Sequence, residues 1–167
     1  ETLFRHTLTV TRGNYVAWSG KASDGGDYEV FLYNVATGTT KRLTTNTGDD
    51  KGVRLSDRYA VWWCSGAAGN SIWAYDLVNG GSPFKISSDA FSNSDPQVSG
   101  SRVVWTGTQG SGTSALSEIF YWDGGFQTNG SPTAPVLLSS PSLTSSLPQI
   151  DGANVVSVNS VFVIFQD

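Results

Sequence analysis

Short apolar runs recur along the chain in a fixed order, and their spacing is that of strands rather than the 3.6-residue stripe of a helix. Residues 13–18 (Gly-Asn-Tyr-Val-Ala-Trp) precede 29–34 (Glu-Val-Phe-Leu-Tyr-Asn), and 57–63 (Asp-Arg-Tyr-Ala-Val-Trp-Trp) precede 72–76 (Ile-Trp-Ala-Tyr-Asp). The same pair returns at 99–107 with 118–123, and once more, without its tryptophan, at 152–158 with 161–165. Trp18, Trp62 and Trp105 are 44 and 43 residues apart, and Ser157 holds the equivalent place 52 residues further on, after a Gly/Ser/Thr/Pro-rich loop at 124–135. A repeat of about 40 residues holding several short strands predicts an array of small sheets, because one such sheet cannot bury both its faces without neighbours.

The pattern predicts strands at 8–11, 15–19, 29–35 and 41–44 in the first repeat, and at 53–55, 59–64, 72–77 and 84–87 in the second. It predicts 96–98, 103–106, 118–122 and 136–139 in the third, and 147–151, 153–158 and 161–165 in the fourth. No helix is expected. The fourth repeat lacks an outermost strand, while Leu3, Phe4 and Arg5 match the outermost strands Lys41-Arg42-Leu43-Thr44, Phe84-Lys85-Ile86-Ser87 and Val136-Leu137-Leu138-Ser139. The expected architecture is therefore all-β: a single propeller domain over 1–167, with four blades of four antiparallel strands. The repeat units are about 8–45, 52–88, 95–140 and 147–167 plus 1–7, and the N-terminal strand joins the C-terminal three to close the ring and pair both edges. One spacing opposes this: Leu3 to Trp18 is 15 residues where Leu43 to Trp62 and Ile86 to Trp105 are 19. Either the first joint is shorter or residues 2–10 form one long inner strand.

Composition narrows the function classes. Charged residues make up only 14% of the 167, and the net charge is −4, so a nucleic-acid partner is not expected: ten scattered Lys and Arg do not form a phosphate-binding surface. No apolar run approaches a membrane span, and methionine is absent, from which we expect a segment excised or processed from a longer extracellular or cell-surface chain. Cys64 is alone and is expected to be a small buried hydrophobe. His6 is the sole histidine, which argues against Ser/His/Asp catalysis and histidine zinc sites. No phosphate loop or dinucleotide fingerprint is present.

Carboxylates are the candidate chemistry. Asp24 and Asp27 lie between the second and third strands of the first repeat, Asp49 and Asp50 before the inner strand of the second, and Asp95 before that of the third. In a propeller those loops emerge on one face, where the acids could bind a sugar, or a cation in or near the channel; their plainer role is to cap turns through backbone N–H groups. Residues 23–27 (Ser-Asp-Gly-Gly-Asp) match a calcium loop or a sialidase Asp-box only faintly, since the acids lack the required spacing. Trp18, Trp62 and Trp105 occupy equivalent positions and are assigned to packing between blades. Trp63 breaks the repeat and is the candidate exposed platform, with Arg54 beside it on the inner strand; Trp73 and Trp122 lie on third strands, nearer the rim.

Residues 95–105 (Asp-Pro-Gln-Val-Ser-Gly-Ser-Arg-Val-Val-Trp) followed by 118–123, with a second partial match at 148–152 (Pro-Gln-Ile-Asp-Gly), resemble the repeats of TolB-like β-propellers of bacterial and archaeal surface proteins. The resemblance implies binding of a protein or glycan at the mouth of the ring, brings no shared catalytic residue, and involves more repeats than this chain carries. The expected function is a non-enzymatic interaction module with no cofactor, monomeric unless two chains complete one ring. A glycan-processing enzyme using two loop carboxylates, or a purely structural repeat segment, are the alternatives.

Overall fold

A computed structural model describes residues 9–110, 115–139, 144–152, 154–159 and 163–166. Those residues form four antiparallel sheets and no helix. Sheet 1 runs β1 (Val10–Arg12), β2 (Tyr15–Lys21), β3 (Tyr28–Asn34) and β4 (Thr39–Arg42). Sheet 2 runs β5 (Asp50–Leu55), β6 (Tyr59–Cys64), β7 (Ser71–Asp76) and β8 (Phe84–Lys85). Sheet 3 runs β9 (Ser92–Ser99), β10 (Arg102–Gln109), β11 (Leu116–Trp122) and β12 (Val136–Leu137); sheet 4 has β13 (Ser145–Asp151), β14 (Asn154–Asn159) and β15 (Val163–Gln166). The predicted N-terminal strand at 1–7, His6 with it, lies outside the described residues.

Each sheet is a meander whose first strand packs on the sheet before it. Strand β5 packs on β1, β2 and β3, β9 on β5, β6 and β7, and β13 on β9, β10 and β11. The sheets therefore converge along their first strands and spread toward their fourth. Between sheets 1 and 2 the core is Ala17, Val30, Leu32 and Leu43 against Val53, Ala60, Trp62 and Tyr75. Between sheets 2 and 3 it is Tyr59, Val61, Ile72 and Ala74 against Val103, Trp105, Phe120 and Trp122. Trp62 and Val61 are adjacent on one strand and serve different cores, which is why the strands read as continuous apolar runs instead of alternating ones.

Side chains repeat their bonds from sheet to sheet. The β2–β3 and β10–β11 registers set Trp18 against Phe31 and Trp105 against Phe120, each pair stacked with centroids 5.7 and 6.0 Å apart. Beyond the fourth strands, the hydroxyls of Thr44, Ser87 and Ser139 each accept the N–H of the third strand, from Val30, Ile72 and Ile119, at 2.9 Å. Successive hairpins are linked along the opposite edge. Arg12 pairs with Asp57, the Ser56 hydroxyl donates to Gly100 O at 2.7 Å, and Gly152 N–H donates to Ser99 Oγ at 2.9 Å.

The first strands of sheets 2 and 3 begin earlier than the sequence pattern implies, because each contains a bulge. Gly52, Asp95 and Leu147 occupy the same place in their sheets, with φ of 67, 52 and 53°, and each marks a register shift against the next strand. Asp95 is thus inside β9 rather than ahead of it. Pro96 and Pro148 follow directly, at the kind of site where a strand tolerates proline. Trp122 also departs from expectation: it is fully buried among Tyr59, Phe84 and Phe126, because the loop carrying Phe126 folds over the rim.

Candidate functional site

The β1–β2 and β3–β4 hairpins and their equivalents lie at one end of the sheets. At the other end are the β2–β3, β6–β7 and β10–β11 loops and the connections from each sheet to the next. This loop face carries Asp24, Asp27, Asp49 and, at the start of β5, Asp50. Asp24 is exposed; Asp27 is partly covered, with Oδ2 shielded from solvent and without a hydrogen-bond partner.

Asp49 and Lys51 join sheets 1 and 2. Asp49 Oδ1 accepts the Tyr28 N–H at 2.9 Å and Oδ2 accepts Lys51 Nζ at 2.6 Å. The Lys51 ammonium lies 4.4 Å from the Tyr28 ring centroid and 6.0 Å from that of Trp63. The bond from Lys51, then that from Tyr28, holds the Asp49 carboxyl below the usual carboxylate range. Trp63 is half-buried against Gly52, where a Cβ would come within 2.8 Å of Nε1.

Asp50 is wholly buried. Its Oδ1 accepts Trp62 Nε1 at 2.8 Å and its Oδ2 accepts Asn46 Nδ2 at 2.7 Å, while burial pushes its carboxyl up from the ordinary value. Arg54 is half-buried on β5 and donates to Val53 O at 3.2 Å. Asp95 is exposed at the β9 bulge, where it accepts from Ser94 Oγ at 3.2 Å. The structure thus joins Asp49 and Trp63 through Lys51 and sets Asp50 beneath them, while Asp24 and Asp27 stay in the sheet 1 loop and Asp95 in sheet 3. Among the described residues, no three His, Cys, Asp or Glu side chains gather as a metal-holding group.

Beside this cluster the loop face opens into a groove of about 310 Å³ between the β4–β5 connection and sheet 2. Asn46, Gly48, Cys64, Ser65, Ser71, Trp73 and Lys85 line it. Asp49 and Asp50 support its walls from behind. Asp49 N–H donates to Ser65 Oγ at 2.8 Å, Ser65 N–H returns a bond to Asp49 O at 2.9 Å, and Asp50 fixes Asn46. Cys64 is half-buried rather than sealed in; burial first, then the Asp50 charge, pushes its thiol up to about 12.

The groove exists because sheet 2 departs from its neighbours. Strand register makes Glu29, Ser71 and Glu118 equivalent, since they face Gly20, Cys64 and Gly107 across the second strand. Glu29 is buried and paired with Arg42, and Glu118 is buried and accepts from the Ser139 hydroxyl. Sheet 2 has the short Ser71 there. Lys85 stands where Arg42 stands in sheet 1 and bonds Asp89 at 2.7 Å. Sequence reading placed Trp73 on a third strand and passed over Asn46, Ser65, Ser71 and Lys85; the signal was the absence, at position 71, of the acid that opens both neighbouring third strands.

No protein-family model matches the chain, and no curated protein matches it in sequence. Solved structures do. Over 97% of its length the chain is similar to 17% of the tricorn protease chain (TM-score 0.68, 15% identity). Over 98% it is similar to 57% of the β-propeller domain of the Trilobed protease from Pyrococcus furiosus, described as having an open velcro topology (TM-score 0.59, 9% identity). The fold is that of a β-propeller. TolB from Agrobacterium tumefaciens gives a further likeness, covering 76% of this propeller chain and 46% of that one (TM-score 0.53, 19% identity). The propeller chain spans well under two thirds of each of these proteins, and at such identities the likeness fixes the fold alone. No helix among its described residues is long and apolar enough to cross a membrane.

Proposed function

We propose that this propeller is a non-enzymatic interaction module of an extracellular or cell-surface protein, and that its loop face binds a glycan in the groove beside Trp73. The observation that carries the reading is the lining of that groove. One half-buried indole is combined with the amide of Asn46, the hydroxyls of Ser65 and Ser71 and the ammonium of Lys85. A flat apolar wall with a few directed polar groups suits a sugar ring, whose C–H face stacks while its hydroxyls bond, and the volume is within the range of small-ligand pockets.

Ring closure within one chain, with residues 1–7 completing sheet 4, and a monomeric state belong to the same reading. The three strands that sheet 4 has among the described residues and the regular hairpin-to-hairpin links support both. An enzymatic reading needs two carboxylates free to face a substrate. Asp49 and Asp50 are instead engaged with Lys51, Tyr28, Trp62 and Asn46, and the less engaged acids are divided between the sheet 1 loop, with Asp24 and Asp27, and the sheet 3 bulge, with Asp95.

A glycan array probed with the wild type and with Trp73→Ala tests the reading. Binding lost in the variant supports it. An unresponsive array, with capture of a protein ligand that is indifferent to Trp73→Ala, replaces it.

A further inference from the structure

We propose that the sheet 2 groove selects an acidic sugar, a hexuronate unit of a glycan chain, whose carboxylate takes the place that the Glu29 and Glu118 side chains fill in sheets 1 and 3. The inference rests on the glycan reading of this face and adds the ligand's charge. In the two neighbouring sheets the fold itself builds a carboxylate into this position, Glu29 at 0% and Glu118 at 5% exposure. Arg42 holds the first and the Ser139 hydroxyl the second. Sheet 2 keeps the equivalent cation, Lys85, and a hydroxyl, Ser71, but removes the acid, and at that place the groove opens to solvent.

A carboxylate already visits the spot. Asp89, on the connection to sheet 3, bonds Lys85 Nζ with both oxygens at 2.7 Å. The Lys85 bond first, with Ser71 a lesser cause, holds the Asp89 carboxyl below its ordinary range. Asp89 is 66% exposed on a flexible one-carbon reach, and exposed ion pairs are weak, so a ligand carboxylate set against Trp73 can displace it. The Asp50 charge reaches the groove at Cys64 and opposes a ligand carboxylate there, so Lys85 has to outweigh it; the bonds that Trp62 and Asn46 donate to the two Asp50 oxygens disperse part of that charge. Trp73 favours a sugar over an acidic peptide: its half-buried ring is a wall a pyranose covers and an extended peptide does not require.

Isothermal titration with tetragalacturonate, a neutral galactan tetrasaccharide and tetraglutamate decides the matter. Tetragalacturonate is expected to bind best, about tenfold more weakly to Lys85→Gln, the loss of one charge-assisted bond. Asp89→Asn is expected to tighten it several-fold, and Ser71→Glu, which gives sheet 2 the residue type of its neighbours, to abolish it. Should Ser71→Glu not fold by thermal melting, the opposite signs of Asp89→Asn and Lys85→Gln carry the test. Equal binding of the neutral saccharide overturns the inference and leaves the glycan reading intact. Binding of tetraglutamate that survives Trp73→Ala overturns it in favour of a protein ligand, and failure of both saccharides overturns both readings.

Discussion

The indole N–H of Trp62 donates to Asp50 Oδ1 at 2.8 Å in a fully buried position between sheets 1 and 2, and 43 residues later Trp105 makes the same bond, at 2.9 Å, to Asn93. Both spacings are twelve residues. The repeat therefore needs an acceptor at this place but not a charge. Asp50→Ala should cost about 1–3 kcal/mol in chemical denaturation, because it leaves a buried N–H unpaired. Asp50→Asn should instead stabilise at pH 7. A carboxyl raised by burial contributes stability that is fully present below its unfolded value near ~4 and is lost as pH rises through the folded value. The gain from the amide should shrink toward zero as pH falls to about 4. Melting curves across that range check the sign.

Cys64 gives a second readout of the same charge. With its thiol pushed up to about 12, Cys64 should react with iodoacetamide at pH 8 far more slowly than a free cysteine, although it is only half-buried. Because the Asp50 charge is one of the causes, Asp50→Asn should accelerate the reaction. An unchanged rate would leave burial as the whole explanation.

The bulge position makes an opposite pair of forecasts. Leu147 holds φ of 53° with 64% of its surface exposed, so it is strained without being packed. Leu147→Gly should stabilise by about 0.5–1 kcal/mol, the relief of the left-handed conformation less the entropy of glycine. Gly52→Ala should destabilise by about 1–2 kcal/mol or more, since it adds that strain and presses a Cβ onto the Trp63 indole. Urea midpoints of the two variants measure both.

Ring closure has its own geometric test. Residue 12 meets 57, residue 56 meets 100, and residue 99 meets 152, each reaching the hairpin of the next sheet. Continued once more around a closed ring, the rule brings Asp151 to the Gly13 hairpin. Spin labels at Asn14 and Asp151, in a Cys64→Ser background, should then be as close as labels at Arg12 and Arg58. A separation several sheets wide would show an open array.

How much of this was legible in the sequence follows from what each residue contributes. The strands were readable because Tyr59–Cys64 and its equivalents carry apolar side chains on both faces, a pattern that only stacked sheets accept. The early start of β9 was hidden because Asp95-Pro96 looks like the loop before a strand, whereas a left-handed residue followed by proline, repeated at Leu147-Pro148, is how this strand bends. Of the candidate acids, the loop position of Asp49 was readable, but the burial of Asp50 was not, since one residue separates a surface ion pair from a hydrogen bond to a core indole. The groove was unreadable from composition. It depends on Ser71 being small where the repeats place Glu29 and Glu118, a difference the aligned repeats carry, but only the folded sheets show that those acids are buried and that their loss opens a groove.

Chemical-shift mapping of the labelled propeller with a glycan identified on the array tests the central claim most directly, that the ligand surface is the sheet 2 groove of the loop face. The account predicts shifts confined to Asn46, Ser65, Ser71, the Trp73 indole, Lys85 and their backbone neighbours, with the buried Trp105 and Trp122 indoles unmoved. Shifts centred instead on the hairpins around Gly13, Asp57, Gly100 and Gly152 would place the ligand at the opposite end of the sheets and contradict it.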